Sequence, residues 1–408
     1  MFSRQQFKWV VCTLLFLAVT ILYMDRQALS ILAPQLTQDL KWKETDYGNM
    51  VTAYQLAYAL GVFGAGWVID RLGTRWGFTL FIALWSLVTA AHGWAVSVMS
   101  FILVRFALGF TQSGCFPCAI KAVAEWFPKE ERALATGFFN TGSMIGPILA
   151  PLVILAFYAK SGWGITCLAL GLLGWLWCLI WMVFYRSPDV RPSESSEVEE
   201  RPMPLGEVLR NRATWAFFFG KLMSDPIWWF FLFWLPKFLH DKHHVELTKL
   251  GAPLVTVYAI TILGSVGAGW LTKRLIARGY PVRTARKSVM FLCALLPVPV
   301  LIAAWTQHVW LAVILIGLAT AGHAGWMTNL FSLVSDYFPK RAVASVTGIG
   351  TMAGALGGIF IAQAAGWILQ ETGSYWPLFI LSASAYLLAW LTVQALLPKK
   401  EWKNNDLS

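Results

Sequence analysis

Five ionisable side chains stand inside long apolar stretches of this 408-residue sequence: Asp25, Arg26, Arg105, Lys221 and Asp225. A charge in the middle of a membrane helix costs roughly 3 kcal/mol on insertion scales, so such residues are functional candidates by default. Arginine and lysine side chains bind anions, and a buried carboxyl group can exchange a proton. The sequence has no HExxH motif, serine-triad pattern or phosphate-binding loop, so we expect neither an enzyme nor a bound metal or cofactor.

Three side chains of the first apolar stretch divide between different helix faces. Tyr23 and Arg26 are three residues apart and share a face, whereas Asp25 and Arg26 point about 100° apart. A guanidinium with a phenol beside it suits a carboxylate ligand. The alternative is a structural ion pair between Arg26 and Asp25 or Asp225. Desolvation pushes a buried carboxyl group towards protonation and a nearby arginine pushes it back, which makes Asp25 the best candidate for a proton site.

These residues need membrane helices to position them, and the composition predicts such helices. The chain is 57% hydrophobic and only 13% charged, and it has 23 Trp, a residue that favours membrane interfaces. It contains about twelve apolar runs of about 20 residues, each long enough to span a bilayer as a helix. We therefore predict an all-α membrane protein with twelve transmembrane helices and the lipid bilayer as its solvent.

The net charge of +11 reflects orientation in the membrane and not binding to nucleic acid. Most of the 32 Lys and Arg residues fall on one side of the predicted spans. This asymmetry follows the positive-inside rule and puts both termini in the cytoplasm. The basic loops then face the anionic inner leaflet, and we expect no nucleic-acid partner.

The chain divides into two similar halves joined by a polar linker. A stretch rich in Pro, Ser and Glu breaks the apolar pattern after residue 186. We predict an amino-terminal six-helix bundle over 1–186, a cytoplasmic linker with a short helix over 187–212, and a carboxy-terminal six-helix bundle over 213–408. WFPKEERALATG at 126–137 is echoed by YFPKRAVASVTG at 337–348, in the corresponding loop. Duplicated halves suggest alternating access to a substrate near the bilayer midplane.

The loop between the second and third spans resembles the signature loop of the major facilitator superfamily. It lies in GWVIDRLGTR, and the matching residues are Gly66, Asp70, Arg71, Gly73 and Arg75. With the twelve spans, the linker and the repeat, the chain is identified as a member of that superfamily. The resemblance implies two pseudo-symmetric six-helix bundles and a cytoplasmic gate formed by these five residues.

The sequence is also similar to the anion:cation symporter branch of that superfamily. The matching residues are Tyr23-Met-Asp25-Arg26, Arg105, Phe116-Pro117 and Glu125-Trp126-Phe127-Pro128. Three stretches most resemble bacterial hexuronate transporters: AIKAVAEWFPKEERALATG (119–137), GKLMSDPIWWFFLFWLPKFL (220–239) and TNLFSLVSDYFPKRA (328–342). The resemblance implies import of a hexuronate, such as glucuronate or galacturonate, by proton symport. The alternative is uniport or exchange of another organic anion, such as galactonate, glucarate or a dicarboxylate. We expect a monomer in the bacterial inner membrane.

The resemblance also implies roles for individual residues. In the branch, the arginine that matches Arg26 holds the substrate carboxylate, and Tyr58 matches a binding position, with helix packing as its alternative. Arg105 is implied as the partner of Asp25, so that protonation of Asp25 releases Arg105; a permanent latch between two helices is the alternative. Gln112 departs from the pattern, because symporters of this branch commonly have a titratable Glu there. Either Asp25 alone couples the proton, or Gln112 is an engineered Glu→Gln change.

Further polar and aromatic residues complete the predicted substrate site. Lys221 and Asp225 are four residues apart, and they either contact the substrate or form a local ion pair. Trp228 suits stacking on a sugar and His323 suits titration near neutral pH, although both residues also fit helix packing. The remaining predicted contacts are polar residues on helix faces: Asn140, Ser143, Asn329 and Thr351.

Overall fold

The structure, a computed structural model, describes residues 4–186 and 203–398, and its regular elements in these ranges are all helical. The α-helices are α1 (Arg4–Leu40), α2 (Glu44–Ala91), α3 (Val98–Gln112), α4 (Cys115–Trp126), α5 (Lys129–Asn140), α6 (Gly142–Phe184), α7 (Leu205–Arg210), α8 (Arg212–His243), α9 (Gly251–Ala277), α10 (Val282–Leu295), α11 (Val300–Ala303), α12 (Val309–Tyr337), α13 (Lys340–Thr372) and α14 (Trp376–Leu396). Two 3-10 turns cover His92–Trp94 and Leu247–Lys249. The predicted all-α class is confirmed.

Nine stretches of the described residues are long and apolar enough to cross a bilayer. They are Gln6–Leu40, Gly64–Trp94, Val98–Trp126, Leu134–Phe184, Leu247–Ala277, Val282–Ala303, Val309–Tyr337, Ser345–Thr372 and Trp376–Leu396. The fourth has 51 residues, enough for two crossings. The first part of α2 and the whole of α8 are further helices of membrane length, and Lys221 and Asp225 lower the hydropathy of α8. These helices are consistent with the twelve predicted spans.

Two glycines interrupt helices that are too long for one crossing. Gly73 in α2 has φ 73° and ψ 165°, and Gly162 in α6 has φ 75° and ψ 177°. Residues with a side chain rarely adopt this conformation, because Cβ makes it strained. Each glycine therefore ends one helical segment and begins the next. Gly73 does so within the loop that carries the predicted cytoplasmic gate.

Contacts between residues group the chain into two units. The first contains Met1–Ser193 and Phe233–Val255, and the second contains Glu194–Leu232 and Thr256–Ser408. The end of α8 thus belongs to the first unit. There Tyr47 donates a hydrogen bond of 2.7 Å to the Phe233 carbonyl oxygen, and Lys237 forms an ion pair of 2.8 Å with Glu44.

Close helix packing in the first unit brings polar residues together. Helix α1 packs on α6, and α2 packs on α3. The contact between α2 and α3 is tightest at Gly109, where a Cβ atom would overlap the Tyr54 carbonyl oxygen. Because Gly109 has no side chain, α3 comes close to Tyr54. Arg105 and Gln112, one turn before and one turn after Gly109, therefore both lie next to Tyr54.

A similar close contact shapes the second unit. Helix α12 packs on α10 and α11, and α10 also packs on α14. Gly354 of α13 lies against α8, where a Cβ atom would overlap the carboxylate of Asp225. The glycine therefore leaves the space that this carboxylate occupies.

Candidate functional site

Arg26 lies at the middle of α1 inside a cage of three tyrosine rings. Its side chain is buried, with the residue only 3% exposed. The guanidinium carbon is 4.6 Å from the ring centre of Tyr58, 4.8 Å from that of Tyr23 and 5.7 Å from that of Tyr54. Aromatic faces carry partial negative charge and attract a cation at these distances. The shared face of Tyr23 and Arg26, which their spacing predicts, is observed, and Tyr58, a predicted substrate contact, lies beside the same guanidinium.

This guanidinium has no carboxylate counter-ion in the described part of its unit. Nε donates a long hydrogen bond of 3.4 Å to Oε1 of Gln112, and the buried Nη2 has no partner among the described residues. The alternative of an Arg26–Asp25 ion pair is not realised in this structure. A buried cation without a counter-ion is costly, so the arrangement suits a group whose partner is an anion from outside the chain.

Tyr54 and Gln112 connect this cage to a second arginine. The Tyr54 hydroxyl donates a hydrogen bond of 2.7 Å to Oε1 of Gln112. The guanidinium carbon of Arg105 lies 4.7 Å from the centre of the same tyrosine ring. Tyr54 therefore contacts both arginines, although only its neighbour Tyr58 was predicted as a site residue. The four-residue spacing of the two tyrosines was the available signal, because it places them on one face of α2.

Asp25 and Arg105 line one small cavity without forming an ion pair. Both residues are buried. Oδ2 of Asp25 accepts a hydrogen bond of 3.4 Å from Thr89, and its Oδ1 has no partner among the described residues. Nε and Nη2 of Arg105 are also unpartnered within that part of the chain. The structure thus brings the two residues to the same cavity, but their predicted pairing is absent from it.

His92 lies in the same cavity and was not among the predicted residues. It is buried in the 3-10 turn that follows α2. Nδ1 lies 2.9 Å from the Val88 carbonyl oxygen, and Nε2 has no partner among the described residues. The sequence signal for it was weak: a single histidine two residues before the end of the apolar stretch Gly64–Trp94.

In the second unit, Lys221 and Asp225 form a buried ion pair. Nζ of Lys221 lies 2.7 Å from Oδ2 of Asp225, one helical turn along α8. Nζ also lies 5.1 Å from the ring centre of Phe331. The local ion pair that was one of the two predicted alternatives is therefore present. A role of the same residues in substrate contact stays a prediction.

Trp228 of α8, the helix that carries the ion pair, stacks on His323 of α12. Their ring centres are 5.2 Å apart and the planes differ by 9°. Nδ1 of His323 lies 2.7 Å from the Tyr386 hydroxyl oxygen, and that hydroxyl donates to the Ser224 carbonyl oxygen at 3.1 Å. Since the hydroxyl hydrogen is used on Ser224, Nδ1 of His323 is the donor and Nε2 is an acceptor in the neutral ring. Tyr386, which fixes this arrangement, was not predicted.

The remaining predicted polar contacts, Asn140, Ser143, Asn329 and Thr351, differ in how far they are buried. Asn329 is buried and fully engaged in helix packing: its Oδ1 accepts from Thr272 at 2.8 Å and its Nδ2 donates to the Gly325 carbonyl oxygen at 3.1 Å. Asn140 and Thr351 are exposed, which leaves their side chains open to a ligand. Ser143 donates to the Asn140 carbonyl oxygen at 2.7 Å. Thr351 donates to the Thr347 carbonyl oxygen at 2.9 Å. Asn329 is thus the buried member of the four, with both of its amide atoms bonded within the protein.

The predicted cytoplasmic gate is bonded to neighbouring helices. Asp70 forms an ion pair of 2.7 Å with Lys121 of α4, and Arg75 donates to the Met182 carbonyl oxygen of α6 at 2.6 Å. Arg71 lies 4.1 Å from the ring centre of Trp67. Gly66 continues the helix, and Gly73 provides the break described above. The Asp70 side chain is 76% exposed, so its ion pair contributes little on its own.

These observations define a helical protein with apolar helices of membrane length and with buried charged side chains inside them. The family model for the Major Facilitator Superfamily matches residues 15–362, and the chain belongs to this superfamily. The chain is similar in structure to a bacterial homolog of the human lysosomal transporter Spinster in an inward-facing and unoccupied conformation. That match has a TM-score of 0.80 and 17% identity, covers 98% of this chain and 99% of the other, and shows the fold alone.

Curated relatives are named as carriers of sugar acids. The chain is 28% identical to the hexuronate transporter of Escherichia coli K12, over 96% of this chain and 94% of that protein. It is 31% identical to the galacturonate transporter of Dickeya chrysanthemi, over 72% and 90%. It is 27% identical to the D-galactonate transporter of E. coli O6:H1, over 93% of each chain. The resemblance predicted from the motifs is confirmed: this is a membrane transporter related to sugar-acid carriers.

Proposed function

We propose that this protein imports a hexuronate, such as glucuronate or galacturonate, by proton symport through alternating access. The observation that carries the proposal is the unpaired Arg26 in its tyrosine cage. Nη2 of this buried guanidinium has no partner among the described residues and Nε makes a long bond, so these two N–H groups can hold a carboxylate. The names of the relatives favour a sugar acid as the bearer of that carboxylate. The proposal places the protein as a monomer in the bacterial inner membrane with both termini cytoplasmic.

Tyr23 and Tyr58 make the carboxylate site at Arg26 selective for a ligand with a hydroxylated ring. Tyr23 and Tyr58 are both half-buried, so their rings are partly accessible beside the guanidinium. A tyrosine combines an apolar face with a hydroxyl group, and both features complement a sugar. A plain carboxylate would use Arg26 alone, whereas a uronate also offers hydroxyl groups and ring C–H groups to these two side chains.

We assign proton coupling to the cavity lined by Asp25, His92 and Arg105, which lies beside the tyrosine cage of Arg26. An ionised Asp25 with a single long hydrogen bond is costly to bury, whereas a protonated carboxyl group is not. Tyr54 contacts Arg105 on this cavity and Arg26 in the cage, so the two sites share a wall. Gln112 accepts hydrogen bonds there and cannot titrate, which leaves Asp25 as the proton carrier in this proposal.

Residues of the second unit are proposed to distinguish one sugar acid from another. The Lys221–Asp225 pair offers both signs of charge, and Trp228 stacked on His323 offers an aromatic face with an acceptor at Nε2. These groups suit the hydroxyl pattern of a sugar. Thr351 of the same unit, and Asn140 and Ser143 of the first unit, complete the proposed set. Asn329 is omitted, because its Oδ1 accepts from Thr272 of α9 and its Nδ2 donates to Gly325 of its own helix.

A thermal-shift screen tests the substrate. Purified protein is heated with glucuronate, galacturonate, galactonate, glucarate and simple dicarboxylates, and a ligand of the folded state raises the melting temperature. We expect the two uronates to give the largest shifts. Shifts only with dicarboxylates would refute the proposed substrate class.

The second candidate is uniport or exchange of another organic anion, and Gln112 is the observation that favours it. Without a titratable side chain at this position, fewer protons accompany the substrate. Uptake into proteoliposomes with and without an imposed pH gradient separates the two functions. Symport predicts accumulation driven by the gradient, and uniport or exchange predicts none.

A further inference from the structure

The cavity that contains Asp25 collects polar atoms without hydrogen-bond partners. Its polar lining is formed by Asp25, Thr89, His92, Arg105 and Cys167, and its other lining residues are apolar. Oδ1 of Asp25, Nε2 of His92, and Nε and Nη2 of Arg105 are all buried and unpartnered among the described residues. Buried polar groups are normally paired, so such a cluster indicates groups that exchange partners or bind water.

The tautomer of His92 follows from its surroundings. Nδ1 lies 2.9 Å from the Val88 carbonyl oxygen, which only accepts hydrogen bonds. Nδ1 therefore carries the hydrogen, and in the neutral ring Nε2 is a bare acceptor. Since the bond to Val88 fixes the ring, Nε2 is a stationary acceptor on the wall of the cavity.

Arg105 requires such an acceptor. A guanidinium has five N–H donors and no acceptor of its own. The side-chain acceptors on the cavity are the Asp25 carboxylate, Nε2 of His92 and the Thr89 hydroxyl oxygen, whose hydrogen is donated to Asp25. An ionised Asp25 is the strongest of the three, because hydrogen bonds between charged groups are about twice as strong as neutral ones. Protonation of Asp25 removes this advantage.

We propose that Arg105 moves between two acceptors: Asp25 when that carboxyl group is ionised, and Nε2 of His92 when it is protonated. His92 is then a positioning residue, which carries no transported proton but determines how easily Asp25 accepts one. This inference rests on the proposed proton symport. In the structure Asp25 and Arg105 share the cavity without an ion pair, and Nε2 of His92 has no partner among the described residues, so Arg105 is bonded to neither of the two acceptors.

The other charged and titratable groups near the cavity offer Arg105 no better acceptor. Helix α2 presents two tyrosines: the Tyr54 hydroxyl group is bonded to Gln112, and the Tyr47 hydroxyl group donates to the Phe233 carbonyl oxygen. Helix α1 presents the cation of Arg26 in contact with the Tyr54 ring. Helix α6 presents the thiol of Cys167, which is a weak acceptor. His92 is therefore the strongest neutral acceptor among these groups.

The direction of the expected effect follows from which state uses His92. Loss of the acceptor destabilises the state with protonated Asp25 and leaves the ionised state unchanged. Protonation of Asp25 then requires a lower pH. One hydrogen bond to a charged group changes an equilibrium about tenfold, so the pH of half-maximal uptake should fall by about one unit.

The test measures uptake of labelled glucuronate into proteoliposomes against external pH, for the wild type and three variants. His92→Gln places an amide oxygen near the position of Nε2. His92→Asn places its amide near Nδ1 and leaves the Nε2 position without an acceptor, and His92→Phe keeps a ring without either nitrogen. We expect the Gln variant to keep the wild-type midpoint, and the Asn and Phe variants to show midpoints about one pH unit lower.

Exchange of glucuronate between equal pools verifies that each variant is folded and binds substrate. If the Phe variant does not fold, the Asn variant alone tests the loss of the acceptor. A wild-type midpoint in the acceptor-free variants would overturn the role of His92. An equal shift in the Gln variant would also overturn it, because that variant retains the acceptor. Wild-type uptake without any pH dependence contradicts the proposed symport itself, and this result is distinct from the others.

Discussion

Replacing Arg26 by methionine separates a substrate anchor from a structural arginine. Methionine fills similar volume without charge or donors. In the structure the guanidinium donates a long hydrogen bond of 3.4 Å to Gln112, and it also hydrogen-bonds the Tyr23 and Tyr58 side chains. A bound carboxylate would accept two charge-assisted hydrogen bonds of about 2 kcal/mol each. Their loss corresponds to about 4 kcal/mol, or about a thousandfold in Kd.

The stability of the ligand-free protein should change far less. Methionine removes contacts with three tyrosine rings, each worth about 2 kcal/mol for a desolvated cation. It also removes the cost of burying an ion without a counter-ion, which is several kcal/mol and of the opposite sign. We expect the melting temperature to move by only a few degrees, because these two effects have similar size.

The assay is isothermal titration of purified protein with glucuronate, combined with thermal melting. Arg26→Lys retains the charge but not the planar fork, so it should lose about 30-fold in affinity. Arg274→Met is the matched control, since Arg274 also lies over an aromatic ring, 4.9 Å from the centre of Trp270. A Kd for Arg26→Met within tenfold of the wild type would refute the anchor. A fall of many degrees in melting temperature with unchanged affinity would show a structural role instead.

Three further substitutions test other parts of the proposal. Asp25→Asn should abolish uptake driven by a pH gradient and spare exchange between equal pools; loss of both activities would indicate a structural role. Gln112→Glu should raise the proton-to-substrate ratio and weaken uronate binding as pH rises, because an ionised Glu competes for Arg26; an unchanged ratio in a flux assay would exclude titration at this position. Gly354→Ala should lower the free energy of unfolding by about 2 kcal/mol, because the new methyl group displaces the Asp225 carboxylate. Gly348→Ala, in the same helix with nothing within 4 Å, is its control, and equal effects would contradict the packing argument.

Contacts along one helix were predictable from the sequence. The spacing of three residues between Tyr23 and Arg26, and of four residues between Lys221 and Asp225, determines which side chains meet on a helix surface. Both contacts are observed, as a cation over a ring and as an ion pair. The helical class followed from hydrophobicity, because a bilayer leaves a long apolar chain few alternatives to helices.

Contacts between helices were not predictable in the same way, because they depend on how each helix is rotated against its neighbour. Tyr54 reaches Gln112 and Arg105 only because Gly109 lets α3 approach α2. His92 reaches the Asp25 cavity from a turn after α2, with no sequence pattern to indicate it. The same dependence explains the missing ion pair between Asp25 and Arg105: a shared cavity does not determine which partner a flexible arginine takes.

In the proposed mechanism, the adjacency of Asp25 and Arg26 lets one helix serve both substrate and proton. Successive residues point about 100° apart, so Arg26 faces the tyrosine cage while Asp25 faces the cavity of Arg105 and His92. A carboxylate bound to Arg26 therefore cannot occupy the proton site, and the two ligands do not compete for one position. They influence each other through α1 and through Tyr54, which contacts the arginines of both sites. Any movement of α1 that closes the cage on a substrate must also move Asp25 relative to Arg105, and this supplies a physical route from substrate binding to proton affinity.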